Sequence, residues 1–412
     1  MPTPTALPAP TDLARHWRLD PTICSLNHGS FGACPTPVLN AQSRYRDHME
    51  ADGVRWFIHD VYPYLDRARA SLAGLVDADP ADLVFVPNAT IGTTTALMSL
   101  GLKPGDEVIC SDQEYPACVN NLLRIAEQAG ARVVRPVLPW PLTDPEQIVD
   151  AIRGAITPRT RGCLLSHVTS PTGLVLPVER IVPLLRERGI ASVIDGAHAP
   201  GFTALSLRTL DPDFHTANCH KWVCSPKGSA FLYVRRERQK GVRPVVLSNF
   251  AQTGHPTRPF LQTEFDYVGT NDTTAWLAIH DAIEFMGSIM AGGFPGLMAR
   301  NRALTLEARG ILCEALGVKP PAPDEMLASL CALLLPAHEA GLDARLMARP
   351  TIYADALQDA LYDRWRVQVP IWRFGPEKRR MVRISVQAYN GREQYEYLAR
   401  ALVEELARER GL

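Results

Sequence analysis

The sequence has no excess charge of either sign: 43 Lys and Arg against 44 Asp and Glu leave a formal net charge of −1 over 412 residues. Such a balance offers nothing to suggest nucleic acid or an anionic membrane as a partner. Long apolar runs are also missing. The most apolar stretch, Met326 to Leu335, is too short to span a bilayer. The amino terminus, MPTPTALPAP, lacks a basic segment followed by an apolar one, so it reads as a flexible tail and not as a signal peptide. The 9 cysteines show no paired spacing and are odd in number, which argues against a disulfide framework and for a reducing, cytoplasmic setting. No internal repeat or low-complexity region is present.

What remains is an ordinary globular composition, 46% hydrophobic and 21% charged, in a chain too long for one small core. We expect a tail over 1–20, a large domain over 21–290 and a smaller one over 291–412. Buried-strand runs at Leu83–Val86, Asp106–Cys110, Arg132–Leu138, Gly162–Val168, Ser192–Ile194, Phe214–Asn218 and Phe231–Val234 alternate with helical stretches. That βαβα order predicts an α/β, three-layer domain with a mainly parallel sheet. The later part, with helices near Leu297–Leu316, Ala354–Trp365 and Arg392–Arg410 and a strand at Met381–Val386, predicts a smaller C-terminal α+β domain.

The most informative stretch runs from Ala191 to Lys227. Ser192-Val193-Ile194 delivers Asp195 at a strand end, the edge at which open α/β sheets bind ligands. A second strand, ending at Asn218, delivers His220 and Lys221. An Asp at one strand end and a Lys past the next are what pyridoxal 5'-phosphate (PLP) chemistry requires. The amine forms an imine with the cofactor aldehyde, and the carboxylate keeps the pyridine nitrogen protonated. A zinc site built from His215, Cys219, His220 and Cys224 is the competing idea. One short segment without a C-x-x-C pair cannot easily wrap a metal, so we expect none.

Asp195-Gly196-Ala197-His198 followed by His220-Lys221 resembles the cofactor site of fold-type I PLP enzymes, and more narrowly the class V aminotransferase family. The resemblance extends from Leu26 to Asn390. It implies Lys221, Asp195 and His198 as the catalytic set, with His198 at the cofactor's phenolic oxygen. By the same likeness Ala89 and Thr90, at a strand-to-helix turn, bind the cofactor phosphate, with Asn218 and His220 near it. Helix N-termini suit such anions. Tyr115 would stack on the pyridine ring. Ser170, where desulfurases carry Asn, would approach the cofactor hydroxyl. Gly269 and Thr270 match a Gly-Thr that reaches the neighbouring subunit's phosphate, which implies a homodimer with shared sites.

The same likeness places a substrate carboxylate on Arg383, whose planar fork suits it. Leu26-Asn27-His28-Gly29-Ser30-Phe31-Gly32 reads as an irregular loop. It is similar to the N-terminal segment of the isopenicillin N epimerase branch, which would bring Asn27 and His28 near the substrate. Cysteine desulfurases need a nucleophilic Cys shortly before the substrate arginine. Here that region reads Val367-Gln368-Val369-Pro370-Ile371-Trp372-Arg373, without one. The reading is therefore an amino-acid epimerase or racemase. The alternatives are a C–S β-lyase, an aminotransferase, or a non-catalytic protein of the same fold.

Overall fold

The structure is a computed structural model that describes residues 6–375 and 377–411. The main sheet has seven strands: β1 (Leu83–Val86), β2 (Glu107–Cys110), β3 (Arg132–Val134), β4 (Thr160–Ser166), β5 (Ala191–Asp195), β6 (Phe214–Asn218) and β7 (Ala230–Val234). Their spatial order is β1-β7-β6-β5-β4-β2-β3. Strand β7 is antiparallel to both neighbours, and every other pair is parallel. Strands β1, β2, β5, β6 and β7 are buried along their whole length, as expected for strands covered by helices on both faces. The α/β, mainly parallel fold is therefore as the sequence implied.

One strand is shorter than expected. Pairing after Arg132 stops at Val134 instead of continuing to Leu138. This is the sheet's edge, and Pro136 and Pro139 have no N–H to continue a ladder.

The carboxy-terminal portion carries an antiparallel sheet of β8 (Leu330–Leu334), β9 (Ile371–Phe374) and β10 (Arg379–Ser385), ordered β9-β10-β8. Helices Gly293–Leu316, Ala356–Trp365 and Arg392–Arg410 belong to it. Strand β8 is the apolar run of the sequence, and all five of its residues are buried. Arg380 ties this sheet to the last helix through Asp355 and Glu409, with N–O distances of 2.8–3.0 Å.

The amino-terminal segment departs from expectation. Residues 1–5 of the predicted tail, and residue 412, lie outside the described residues. From Thr11 onward the chain is packed, not loose. The Thr11 hydroxyl donates to the Ala388 carbonyl at 2.7 Å, and Trp17 is buried with its ring 5.3 Å from that of Tyr389. Burying an indole supplies about 2–3 kcal/mol or more, enough to order a short segment. Cys24–Ser25 then pairs in parallel with Val367–Gln368, so the start of the chain lies on the carboxy-terminal portion. Among the described residues no single helix is long and apolar enough to cross a membrane.

Candidate active site

A cavity of about 680 Å³ opens at the carboxyl ends of β4, β5 and β6, where the main sheet meets the smaller one. It gathers Ala89, Thr90, Tyr115, Ser170, Asp195, His198, Asn218, His220, Lys221 and Arg383, ten residues picked from the sequence.

Asp195 ends β5 and is buried. One carboxylate oxygen accepts the Ala197 N–H at 3.0 Å and the other the Cys118 S–H at 3.3 Å. Burial raises its pKa. A carboxylate held in this way at a cavity wall is suited to a cationic N–H donor from the cavity side, which a protonated pyridine provides.

Lys221 follows β6. Its pKa is lowered to about 8, because burial disfavours the ammonium more than Asp195 stabilises it, and Arg383 adds repulsion. Its Nζ lies 3.0 Å from His198 Nε2. A lysine near neutrality is a usable nucleophile and base.

The turn expected to cradle a phosphate differs in detail from the expectation. Helix Ala89–Met98 starts at the cavity, with Asn88 as its cap. The Ala89 N–H, however, donates to the Asn218 side-chain oxygen at 2.8 Å, and the Ile91 N–H donates to Asn88 at 3.0 Å. Among the described residues this leaves the first-turn N–H of Thr90, with its hydroxyl, at the cavity without a protein partner, the kind of donor pair an anion can use. Asn218 thus engages the first backbone N–H of that helix with its side-chain oxygen. His220 also lines the cavity and donates Nδ1–H to the Ser229 carbonyl at 3.1 Å.

Tyr115 is 44% exposed at the cavity wall, so it is not a core tyrosine. Ser170 contributes its backbone: its carbonyl accepts from Arg383 Nη1. Arg383 is buried, and its Nη2 donates to Ser30 Oγ at 3.1 Å. The guanidinium lies 4.9 Å from the centre of the Trp372 ring. Among the described residues its buried Nε–H has no acceptor. That unpaired donor fits a carboxylate arriving from the cavity.

Two expected residues are placed elsewhere. His28 does not line the cavity: it is buried behind Lys221. Its Nε2–H donates to the Lys221 carbonyl at 2.9 Å, and its Nδ1 accepts from the Tyr389 hydroxyl at 2.9 Å. Burial holds its pKa down at about 4, so it is a neutral prop under the lysine and not a substrate contact. Asn27 likewise stays off the cavity and accepts from Ser30 Oγ at 2.7 Å. The segment expected as an irregular loop is one helical turn, His28–Phe31. That turn places Gly29, Ser30 and Phe31 on the cavity. Half-buried Gly269 and exposed Thr270 lie in a loop away from the cavity within this chain.

Sequence reasoning missed Ser30, Phe31, Trp372, Ser166 and Glu114. The Ser166 hydroxyl lines the cavity and donates to Glu114. Glu114 is buried beside Asp195, and burial lifts its pKa to about 7 despite hydrogen bonds from Ser111 and Ser166. The one sequence signal for this pair was a carboxylate directly before Tyr115.

A buried Asp at one strand end, a depressed-pKa Lys after the next and a helix N-terminus facing both define a fold-type I PLP-dependent enzyme. The chain belongs to the class V aminotransferase family: the profile described as "Aminotransferase class-V" matches residues 32–398. Its cofactor is PLP. The isopenicillin N epimerase of Streptomyces clavuligerus is 32% identical over 93% of this chain and 95% of its own length. A putative L-cysteine desulfhydrase of Oryza sativa is 30% identical over 92% of this chain and 82% of its own. The fold matches the structure of the cystine C–S lyase C-DES in complex with cysteine persulfide, at TM-score 0.75 and 19% identity over 93% and 97% of the two chains. It also matches the cysteine desulfurase CsdA of Escherichia coli, at TM-score 0.73 and 20% identity over 96% and 98%.

Proposed function

We propose that this enzyme removes and returns the α-proton of an amino-acid substrate, acting as an epimerase or racemase, with Lys221 as the proton-moving group. The observation that carries this reading is the Lys221 amine, buried at the cavity wall with its pKa near 8 and opposite a guanidinium that has a free donor. When bound, PLP supplies an electron sink that acidifies the substrate α-carbon. Asp195 would hold the ring nitrogen protonated, Thr90 and His220 would hold the phosphate, and Tyr115 would cover the ring face.

Arg383 would grip the substrate carboxylate with Nε–H and an Nη2–H, its plane fixed by Trp372, Ser170 and Ser30. That grip orients the Cα–H bond. Lys221 Nζ then accepts the proton at the α-carbon. The identity of the group that delivers a proton to the opposite face decides stereochemistry, and Tyr115 is the titratable side chain exposed to the cavity that is best placed to be tested. A homodimer in which Gly269 and Thr270 complete the partner's phosphate site is part of this proposal, and the exposure of Thr270 supports it.

The second reading is a C–S β-lyase, favoured by the desulfhydrase relatives. It shares each residue role up to loss of the α-proton. All nine cysteines are buried and none lines the cavity, which speaks against persulfide transfer on a protein thiol. Incubation in D2O with isopenicillin N, cysteine conjugates and common amino acids separates the two. A deuterated, inverted product is expected. Pyruvate, or another keto acid, with ammonia and a free thiol would replace the epimerase reading by the lyase.

A further inference from the structure

Trp222 follows the lysine in sequence, is fully buried, and has no contact with the cavity. Its indole N–H donates to His198 Nδ1 at 3.1 Å. An indole nitrogen can only donate, so Nδ1 must present a lone pair. A neutral imidazole then carries its one proton on Nε2. Burial, reinforced by Lys221, Arg383, His28 and His220, keeps His198 far below the usual histidine range, so the ring is neutral at pH 7.

The other ring nitrogen, Nε2, is the one 3.0 Å from Lys221 Nζ. An ammonium has no lone pair and an Nε2–H none to offer it, so that contact is satisfied only when the lysine is the free amine and accepts. We infer that Trp222 is a positioning residue: by locking His198 in its Nε2–H tautomer, it withholds a lone pair from the Lys221 ammonium and so favours the free amine that attacks a carbonyl or takes a proton. The charges acting on Lys221 are those of Asp195, which favours the ammonium, and Arg383, which opposes it. None of them is touched by a change at position 222.

The inference rests on Lys221 being the cofactor lysine, but its test does not use turnover. Truncating Trp222 would open a void against Phe202 and His28, whose rings lie 5.0 Å away. The indole is therefore best replaced site-specifically by a benzothiophene, which keeps the shape and deletes only the N–H. In the full chain cleared of PLP, the pH dependence of reductive methylation at Lys221 is read by peptide mass spectrometry. The midpoint is expected near 8 in the unaltered chain. It should rise by about one unit in the benzothiophene protein, because the freed ring turns a lone pair towards the ammonium. In a His198→Phe background the same replacement should shift nothing, since a phenyl ring has no lone pair to turn towards the lysine.

An unchanged midpoint in the first case, or an equal shift in both backgrounds, overturns the inference. Borohydride fixation of PLP on a residue other than Lys221 would instead overturn the cofactor assignment beneath it.

Discussion

At the scale of single residues, Arg383 shows how burial and incomplete pairing together mark a ligand group. Its Nη atoms are held by Ser170 and Ser30 and its face by Trp372, yet Nε–H is left without an acceptor. Lysine at this position would keep a charge but lose the fork. Arg383→Lys is therefore expected to lower kcat/KM about 10- to 100-fold, mostly through KM, while the visible spectrum of the bound cofactor stays as it was. Steady-state kinetics with a parallel spectrum checks both halves. Asp195, Lys221 and Arg383 were legible because each sits in or just after a strand whose β-branched, apolar spelling is unmistakable. Ser30, Phe31 and Trp372 were not, because nothing in their own neighbourhoods announces a wall. They become one only when segments more than 300 residues apart meet.

Among the elements, the turn His28–Phe31 and the glycine that ends it carry the closest approach in the site. Gly32 has φ +69° and ψ 169°, a region open to glycine alone. A Cβ there would sit 1.9 Å from the His220 carbonyl oxygen, which is backbone and cannot swing aside. Gly32→Ala is expected to cost about 2–4 kcal/mol of stability and to displace Lys221, reducing both the urea midpoint and cofactor retention. Equal midpoints in the two proteins would refute this. The sequence shows the two glycines but not this turn, since four residues are too few for any periodicity to register. Strand β3 was overread for the opposite reason: its apolar letters run on past the point where prolines and the sheet edge end the pairing.

For the whole molecule, buried histidines set the acid limit. His28, His167 and His220 are pushed down to about 4, and His198 and His215 well below their usual value, chiefly by burial. Between about pH 6.5 and 4 the unfolded chain binds protons at these sites that the folded chain refuses, so stability falls as pH falls through that window. Asp112, Glu114 and Asp195, raised by burial, bind protons in the folded state and act the other way, but they are three against five. The urea midpoint is expected to be lower at pH 5 than at pH 7. His167 and His215 pack against each other, 3.4 Å apart, away from the cavity lining. His167→Gln should flatten the dependence by up to about 1.4 kcal/mol per pH unit without altering the cofactor's spectrum. A slope unchanged in that variant would remove the pair from the account.

The start of the chain has a practical consequence for anyone recombining relatives. Cys24–Ser25 runs beside Val367–Gln368, the Ser385 N–H donates to the Leu26 carbonyl at 3.0 Å, and the Gly29 N–H donates to Ser385 Oγ at 3.1 Å. A chimera made with a single crossover near residue 290 would pair a foreign carboxy-terminal portion with a native leading segment and mismatch that seam. A viable exchange must carry residues 11–35 together with everything after the crossover, so the smaller inheritable unit of this protein is discontinuous in its gene.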